Sequence, residues 1–179
     1  MINQYSDEEL IAGARKGEMA AFKLLVERYE GKVAGVIKPM LGDIPQALDV
    51  AQEVFIRFYE SLDKFKGESS LGTYLIRIAI NLSLNEIKRN KRKDKLFSHL
   101  EKGQNVKAEE SVQDVYEMVH HEIDKLDAEF KTVVTLRMIE GYSTEETSKI
   151  LNIPLGTVLS RLARAHKKLK DALEKHKML

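Results

Sequence analysis

The chain has 179 residues, 43% of them hydrophobic and 32% charged, which places it among soluble globular proteins and outside the apolar-poor compositions that stay disordered. Its 29 basic and 28 acidic side chains nearly cancel, so net charge selects no class of partner, and the lack of cysteine excludes disulfides, Cys-bearing zinc sites, iron–sulfur clusters and thiol nucleophiles. No apolar run reaches the roughly 20 residues of a membrane-spanning helix and the start, MINQYSDEELIAGARKGE, has no secretory leader pattern, so a cytoplasmic protein without direct membrane insertion is expected.

Few breakers (three prolines, ten glycines) and apolar residues recurring every three or four positions predict an all-α chain, with helices over 6–16, 18–40, 45–63, 71–92, 112–125, 128–140, 144–151 and 157–175. The helix over 45–63 opens with Pro45 in a tolerated first-turn position, and Ala47, Val50, Ala51, Val54, Phe58 and Leu62 form its apolar stripe. Off that stripe lie Asp49, Gln52, Glu53 and Ile56. This mixture of acid, amide and exposed apolar side chain suits a protein partner better than DNA.

The helix over 71–92 carries Tyr74, Arg77, Asn81, Asn85, Lys88 and Arg92 on a narrow stripe, with Leu75, Ile76, Ala79, Ile80, Leu82 and Ile87 around the remainder. An aromatic that can stack on a base, amides for base edges and cations for phosphates together make a platform for single-stranded nucleic acid. The preceding loop, Lys66-Gly67-Glu68-Ser69-Ser70, is small and polar enough to receive a flipped base. Tyr74 taken alone also fits a half-buried core position.

Charge is polarised beneath the balanced total: +5 over 71–95, −5 over 96–127 and +4 over 128–179. The acidic, apolar-poor stretch around Gly103, Gln104 and Asn105 reads as a flexible linker at 94–113. It divides the chain into two small helical domains, 1–93 and 114–179, each with a basic surface suited to one polyanion.

In the second domain, Asp127 is placed to cap the helix over 128–140, which is expected to pack through Phe130, Val133, Val134 and Met138 and to end at Gly141. Ser143 with Glu146 three residues on is a capping-box pattern. Pro154 and Gly156 then break the chain before a longer basic helix, with Thr157 available as its cap. Short helix, tight turn and basic helix make the plan of a helix-turn-helix. Val158, Leu162, Ala165, Leu169 and Leu173 are its buried stripe; Ser160, Ala163, Arg164 and Lys167 face away, flanked by Thr157, Leu159, Arg161 and Lys168. Arginine can fork onto a guanine edge, while lysine and threonine can hold phosphates.

The segments AFKLLVERY (21–29), DVAQEVFIRFYESLDKFKGESSLGTYLIRIAINLSLNEIKR (49–89) and LDAEFKTVVTLRMIEGYSTEETSKILNIPLGTVLSRLARAHKKL (126–169) resemble the sigma-70 superfamily, specifically its two-domain extracytoplasmic-function sigma factors. The Asp-x-x-Gln-Glu-x-Phe start and the Thr-aromatic-Leu-x-Arg-Ile-Ala-x-Asn core of the middle block carry the resemblance most specifically. It implies that the first domain corresponds to sigma region 2 and the second to region 4. Asp49, Gln52, Glu53 and Ile56 would then dock on core RNA polymerase, at the clamp helices of its largest subunit. Ser69, Ser70, Leu71, Tyr74, Asn81, Asn85, Lys88 and Arg89 would face the melted minus-ten strand. Thr157, Leu159, Ser160, Arg161, Ala163, Arg164, Lys167 and Lys168 would face the duplex minus-thirty-five element. The implied function is a sigma factor that directs polymerase to promoters and assists melting, with an anti-sigma protein as a further partner. Many relatives carry Trp at the position of Tyr74 and an aromatic at that of Leu71. Long polar or aromatic side chains are commoner at those of Leu159 and Ala163, so the upstream element is expected to differ from the family's commonest sequence.

The alternative is a stand-alone helix-turn-helix regulator, which would have no need of the 49–92 segment. An enzyme is not expected: there is no phosphate-binding glycine loop, and His99, His120, His121, His166 and His176 are scattered rather than at metal-ligand spacing, so neither cofactor nor metal is implied.

Overall fold

The computed structural model describes residues 5–42, 44–97 and 112–176, and all regular structure among them is helical. The helices are α1 (Asp7–Arg15), α2 (Met19–Leu41), α3 (Pro45–Glu60), α4 (Leu71–Phe97), α5 (Val112–Asp124), α6 (Ala128–Val134), α7 (Thr144–Leu151) and α8 (Leu155–His176). A 3₁₀ turn (Leu62–Lys64) follows α3, and a π turn (Thr135–Ile139) follows α6. The chain divides into two compact units, Met1–Ser83 and Leu84–Leu179. The division falls inside α4, upstream of the expected boundary at 93. Residues 98–111 of the expected linker lie outside the described residues, and its ends are the last turn of α4 and the first of α5.

The first unit starts from a capping box: Ser6 Oγ accepts from the Glu9 amide at 3.2 Å and Glu9 accepts from the Ser6 amide at 2.7 Å. α1 lies close on α2, where a Cβ on Gly13 would come within 2.9 Å of the Ala21 Cβ. Asp7 ties the pair by accepting from Arg28 at 2.6 Å and from the buried Tyr29 hydroxyl. Burial beside this carboxylate pushes the Tyr29 phenol well above its ordinary range. Leu25, Val33, Ile37, Val50, Val54, Phe58, Leu71, Leu75 and Ala79 form the shared core, so the expected stripes of α3 and α4 face inward.

The second unit closes around Ile123, Leu126, Phe130, Val134 and Ala165, with Leu169 of α8 against them. Four local expectations are corrected here. Asp127 precedes α6, but its carboxylate makes no cap bond and instead accepts from Lys168 Nζ at 2.8 Å. Met138 is 60% exposed rather than packed, because the wider π turn rotates it off the buried face. The bend between α7 and α8 is made by Asn152, in the left-handed region at φ 52° and ψ 47°, while Gly156 lies inside α8. α8 consequently begins at Leu155. The Pro154 carbonyl accepts its first amides, from Thr157 at 2.9 Å and Val158 at 3.2 Å, so Thr157 occupies the first turn and is not the cap. The capping box of α7 forms as expected, with Ser143 and Glu146 exchanging bonds of 2.7 and 3.1 Å.

Candidate nucleic-acid interfaces

Three surfaces carry the candidate residues. On α3, Asp49, Gln52 and Ile56 are exposed, Ile56 by 51%. Leu48, 71% exposed, belongs to the same face and was missed because it adjoins the apolar stripe in sequence. Glu53 is half-buried and accepts from Arg57 Nε at 2.7 Å, one helical turn on, which leaves the acid on this face chiefly to Asp49.

The second surface begins where the chain enters α4. Ser70 caps this helix, its Oγ accepting from the Thr73 amide at 3.2 Å. Leu71, one residue later, is 3% exposed and packs in the core with Leu75 one turn on. A side chain in that position cannot meet a nucleic-acid strand without unpacking the unit, and Leu71 is withdrawn from the strand-facing set. Tyr74 is half-buried in an aromatic cluster, its ring centroid 5.0 Å from Phe65 and 6.2 Å from Phe58, and its hydroxyl donates to Ser61 Oγ at 2.9 Å. One wall of Tyr74 stays open. With Arg77, Lys64, Phe65 and the loop residues Lys66, Gly67, Glu68 and Ser69, it lines a cavity of about 310 Å³.

The cavity holds an aromatic face, a small polar loop and three cations against one acid. That combination accepts a planar, hydrogen-bonding group joined to a phosphate. From it, α4 carries Asn81, Asn85 and Lys88, all exposed, outward along one side. Tyr74 to Lys88 spans about 21 Å at 1.5 Å per residue. Arg89 is exposed at the edge of the stripe and donates to Glu86 at 2.9 Å.

The third surface is the outward face of α8, where Leu159, Ser160, Ala163, Arg164 and Lys167 are exposed. Arg164 and Lys167 hold no ion pair among the described residues. The flanking cations are occupied. Arg161 donates to Glu129 at 2.8 Å, and Lys168, which bonds Asp127, lies 4.9 Å over the Phe130 ring. The lysine beside it holds the Asp127 carboxyl below the usual carboxylate range. Half-buried Thr157 contributes its carbonyl to Ser160 Oγ at 3.0 Å. Of the eight residues expected to face duplex, the side chains of Ser160, Arg161 and Lys168 are thus engaged within the unit, and Thr157 is half-buried.

Sequence reasoning missed Arg15 and Ser61, which hold the cavity walls. Arg15 meets its partners 47 and 50 positions away, and no local signal in the sequence marks that contact.

Residues 25–93 match the Sigma-70 region 2 family and residues 116–169 the Sigma-70 region 4 family. The chain is 35% identical over 189 residues to the ECF RNA polymerase sigma-E factor of Haemophilus influenzae, covering 97% of this chain and 98% of that protein. It is 33% identical over 187 residues to the RNA polymerase sigma-H factor of Pseudomonas aeruginosa, covering 97% of each. Its fold is similar to that of CnrH, solved in complex with the cytosolic domain of CnrY, with a TM-score of 0.68 and 26% identity over 94% of this chain and 97% of that one.

Proposed function

The chain belongs to the sigma-70 family, in its extracytoplasmic-function group, and is an RNA polymerase sigma factor; from that premise we propose how its surfaces divide the work of initiation. Asp49, Gln52 and Ile56, joined by Leu48, form the contact to core polymerase. The cavity beside Tyr74 receives one unstacked base of the melted minus-ten strand. Ser69 lines it, Ser70 follows at the cap of α4, and Asn81, Asn85, Lys88 and Arg89 follow the strand along α4. Leu159, Ser160, Ala163, Arg164 and Lys167 read duplex at the minus-thirty-five element, with Arg161 and Lys168 reaching phosphates only after leaving their acidic partners.

The observation that carries this reading is the cavity itself, placed at the start of a helix whose exposed stripe changes from amide to cation. Unstacking a base costs a few kcal/mol, and stacking it on an aromatic returns about 1–3 kcal/mol. Such a site captures a strand that polymerase and fluctuation have already opened, and assists melting by holding the open form. The chain contributes no bond-making chemistry of its own and acts in the cytoplasm, where its polymerase is; among the described residues no helix is long and apolar enough to cross a membrane. An anti-sigma protein is the regulatory partner implied by family, and CnrH was solved with a bound protein domain.

Run-off transcription with purified core polymerase tests the whole. Initiation that depends on both components is expected, and a chain that binds promoter duplex yet supports no core-dependent transcript would overturn it. Leu159 and Ala163 can touch thymine methyls but cannot hydrogen-bond base edges. Binding-site selection after Leu159→Lys is therefore expected to change the upstream preference, and an unchanged preference counts against this face of α8.

A further inference from the structure

Arg15, the last residue of α1, belongs to none of the surfaces assigned above. Its guanidinium reaches the turn after α3: Nε donates to the Leu62 carbonyl at 3.0 Å, and Nη2 donates to the Phe65 carbonyl at 2.5 Å. These carbonyls bracket the 3₁₀ turn Leu62–Lys64, and Phe65 is the first fixed point of the cavity loop. Beyond it, residues 66–69 make no backbone hydrogen bond among the described residues, and Gly67 adopts φ 73° with open space around it. The loop is next anchored at Ser70, which caps α4. A span with so few internal ties takes its shape from its two ends. One end is the Ser70 cap. Arg15 holds the other.

Two carbonyls set apart by a turn suit the planar fork of arginine, which bonds both at once; a lysine ammonium on its flexible stem is not organised to do so. We propose that Arg15 is a positioning residue for strand capture: by clamping the Leu62 and Phe65 carbonyls it fixes the width of the cavity beside Tyr74, and with it the choice of base admitted there. The inference rests on the reading of that cavity as the seat of an unstacked base.

The test uses the full chain assembled with core polymerase and measures affinity for fork-junction promoter DNA carrying each of the four bases at the captured position. Arg15→Ala, which removes both bonds, is expected to lower discrimination for the preferred base by about tenfold, a part of what two charge-assisted hydrogen bonds are worth. Affinity for core polymerase should stay unchanged, and amide exchange at Lys64 and Phe65, whose N–H groups donate to the Ser61 carbonyl in the clamped turn, should rise. Arg15→Lys should retain part of the discrimination. A general loss of stability would weaken binding to all four bases alike, so the base-selective loss separates positioning from folding. Ser69→Phe, which fills the cavity, serves as the control. If Ser69→Phe abolishes discrimination while Arg15→Ala preserves it, the cavity reading stands and the role of Arg15 is refuted. If neither variant alters it, the cavity reading fails and the inference falls with it. Should Arg15→Ala not fold, Arg15→Lys decides: partial loss supports the clamp, and wild-type discrimination overturns it.

Discussion

Tyr74 serves the core with one part of its side chain and, in the proposed function, the melted strand with another. Its hydroxyl is spent on Ser61 and one side of the ring on Phe58 and Phe65, which leaves the cavity-facing side for the proposed stacking. Tyr74→Phe should therefore cost about 1 kcal/mol in urea unfolding, the worth of one hydrogen bond, and leave promoter opening at the wild-type level. Tyr74→Ala should lose about 3 kcal/mol and opening together, so only the Phe variant separates packing from stacking. Glu146 makes a second prediction, set by pH. Its hydrogen bonds from Ser143 hold its carboxyl below the ordinary value, so the unfolded chain binds the proton more readily than the folded one. The cap is then fully present above the ordinary glutamate range and is lost as pH falls through the depressed folded value. Protection of the Ser143 amide against exchange should decline over that acid window. Glu146→Gln, which still accepts through its amide oxygen but does not titrate, should flatten the decline.

At the level of elements, the link between α7 and α8 sets where the outward face of α8 points. Asn152 holds a left-handed conformation that β-branched residues resist. Asn152→Gly should be nearly neutral, whereas Asn152→Val should cost about 1–2 kcal/mol and reduce duplex binding by reorienting α8, as chemical denaturation and a binding titration would report. The helices themselves were legible from apolar spacing, because 3.6-residue periodicity and burial are the same constraint seen twice. Junctions were less so. Pro154 and Gly156 advertise a turn, but any residue able to enter the left-handed region can make it, and Asn152 does. Leu71 shows the same limit within the candidate site. A position at a helix start is equally compatible with rim and core, and only the packing of Leu71 with Leu75 against the rest of the unit decides for core. Of the duplex face, Arg164 and Lys167 were readable from the helical wheel, while the ion pairs of Arg161 and Lys168 depend on where α6 lies.

Across the whole molecule, near-neutrality conceals two basic blocks and an acidic one, and autonomous DNA binding is expected to be weak until polymerase holds both units on the promoter. Replacing Asp49 and Ile56 together by arginine should abolish assembly with core polymerase, and with it transcription, while the unfolding curve of the free protein stays unchanged because both side chains are exposed. The paired cations of α8 have a further consequence. Glu129 and Asp127 act as resident counterions, held in place by the chain and not drawn from solution. When a phosphate displaces them from Arg161 or Lys168, the cation condensed on that phosphate is set free, but the released carboxylate draws a cation back from solution, so little net salt is released. Duplex affinity should thus fall with salt only as steeply as Arg164 and Lys167 dictate, about 0.9 in log–log slope for each, and shallower than a count of basic residues would give. Glu129→Gln should steepen that slope by releasing Arg161 to the ordinary ion atmosphere. By this exchange the fold keeps part of its positive charge in reserve, invisible to stray polyanions and available to a promoter already held in register.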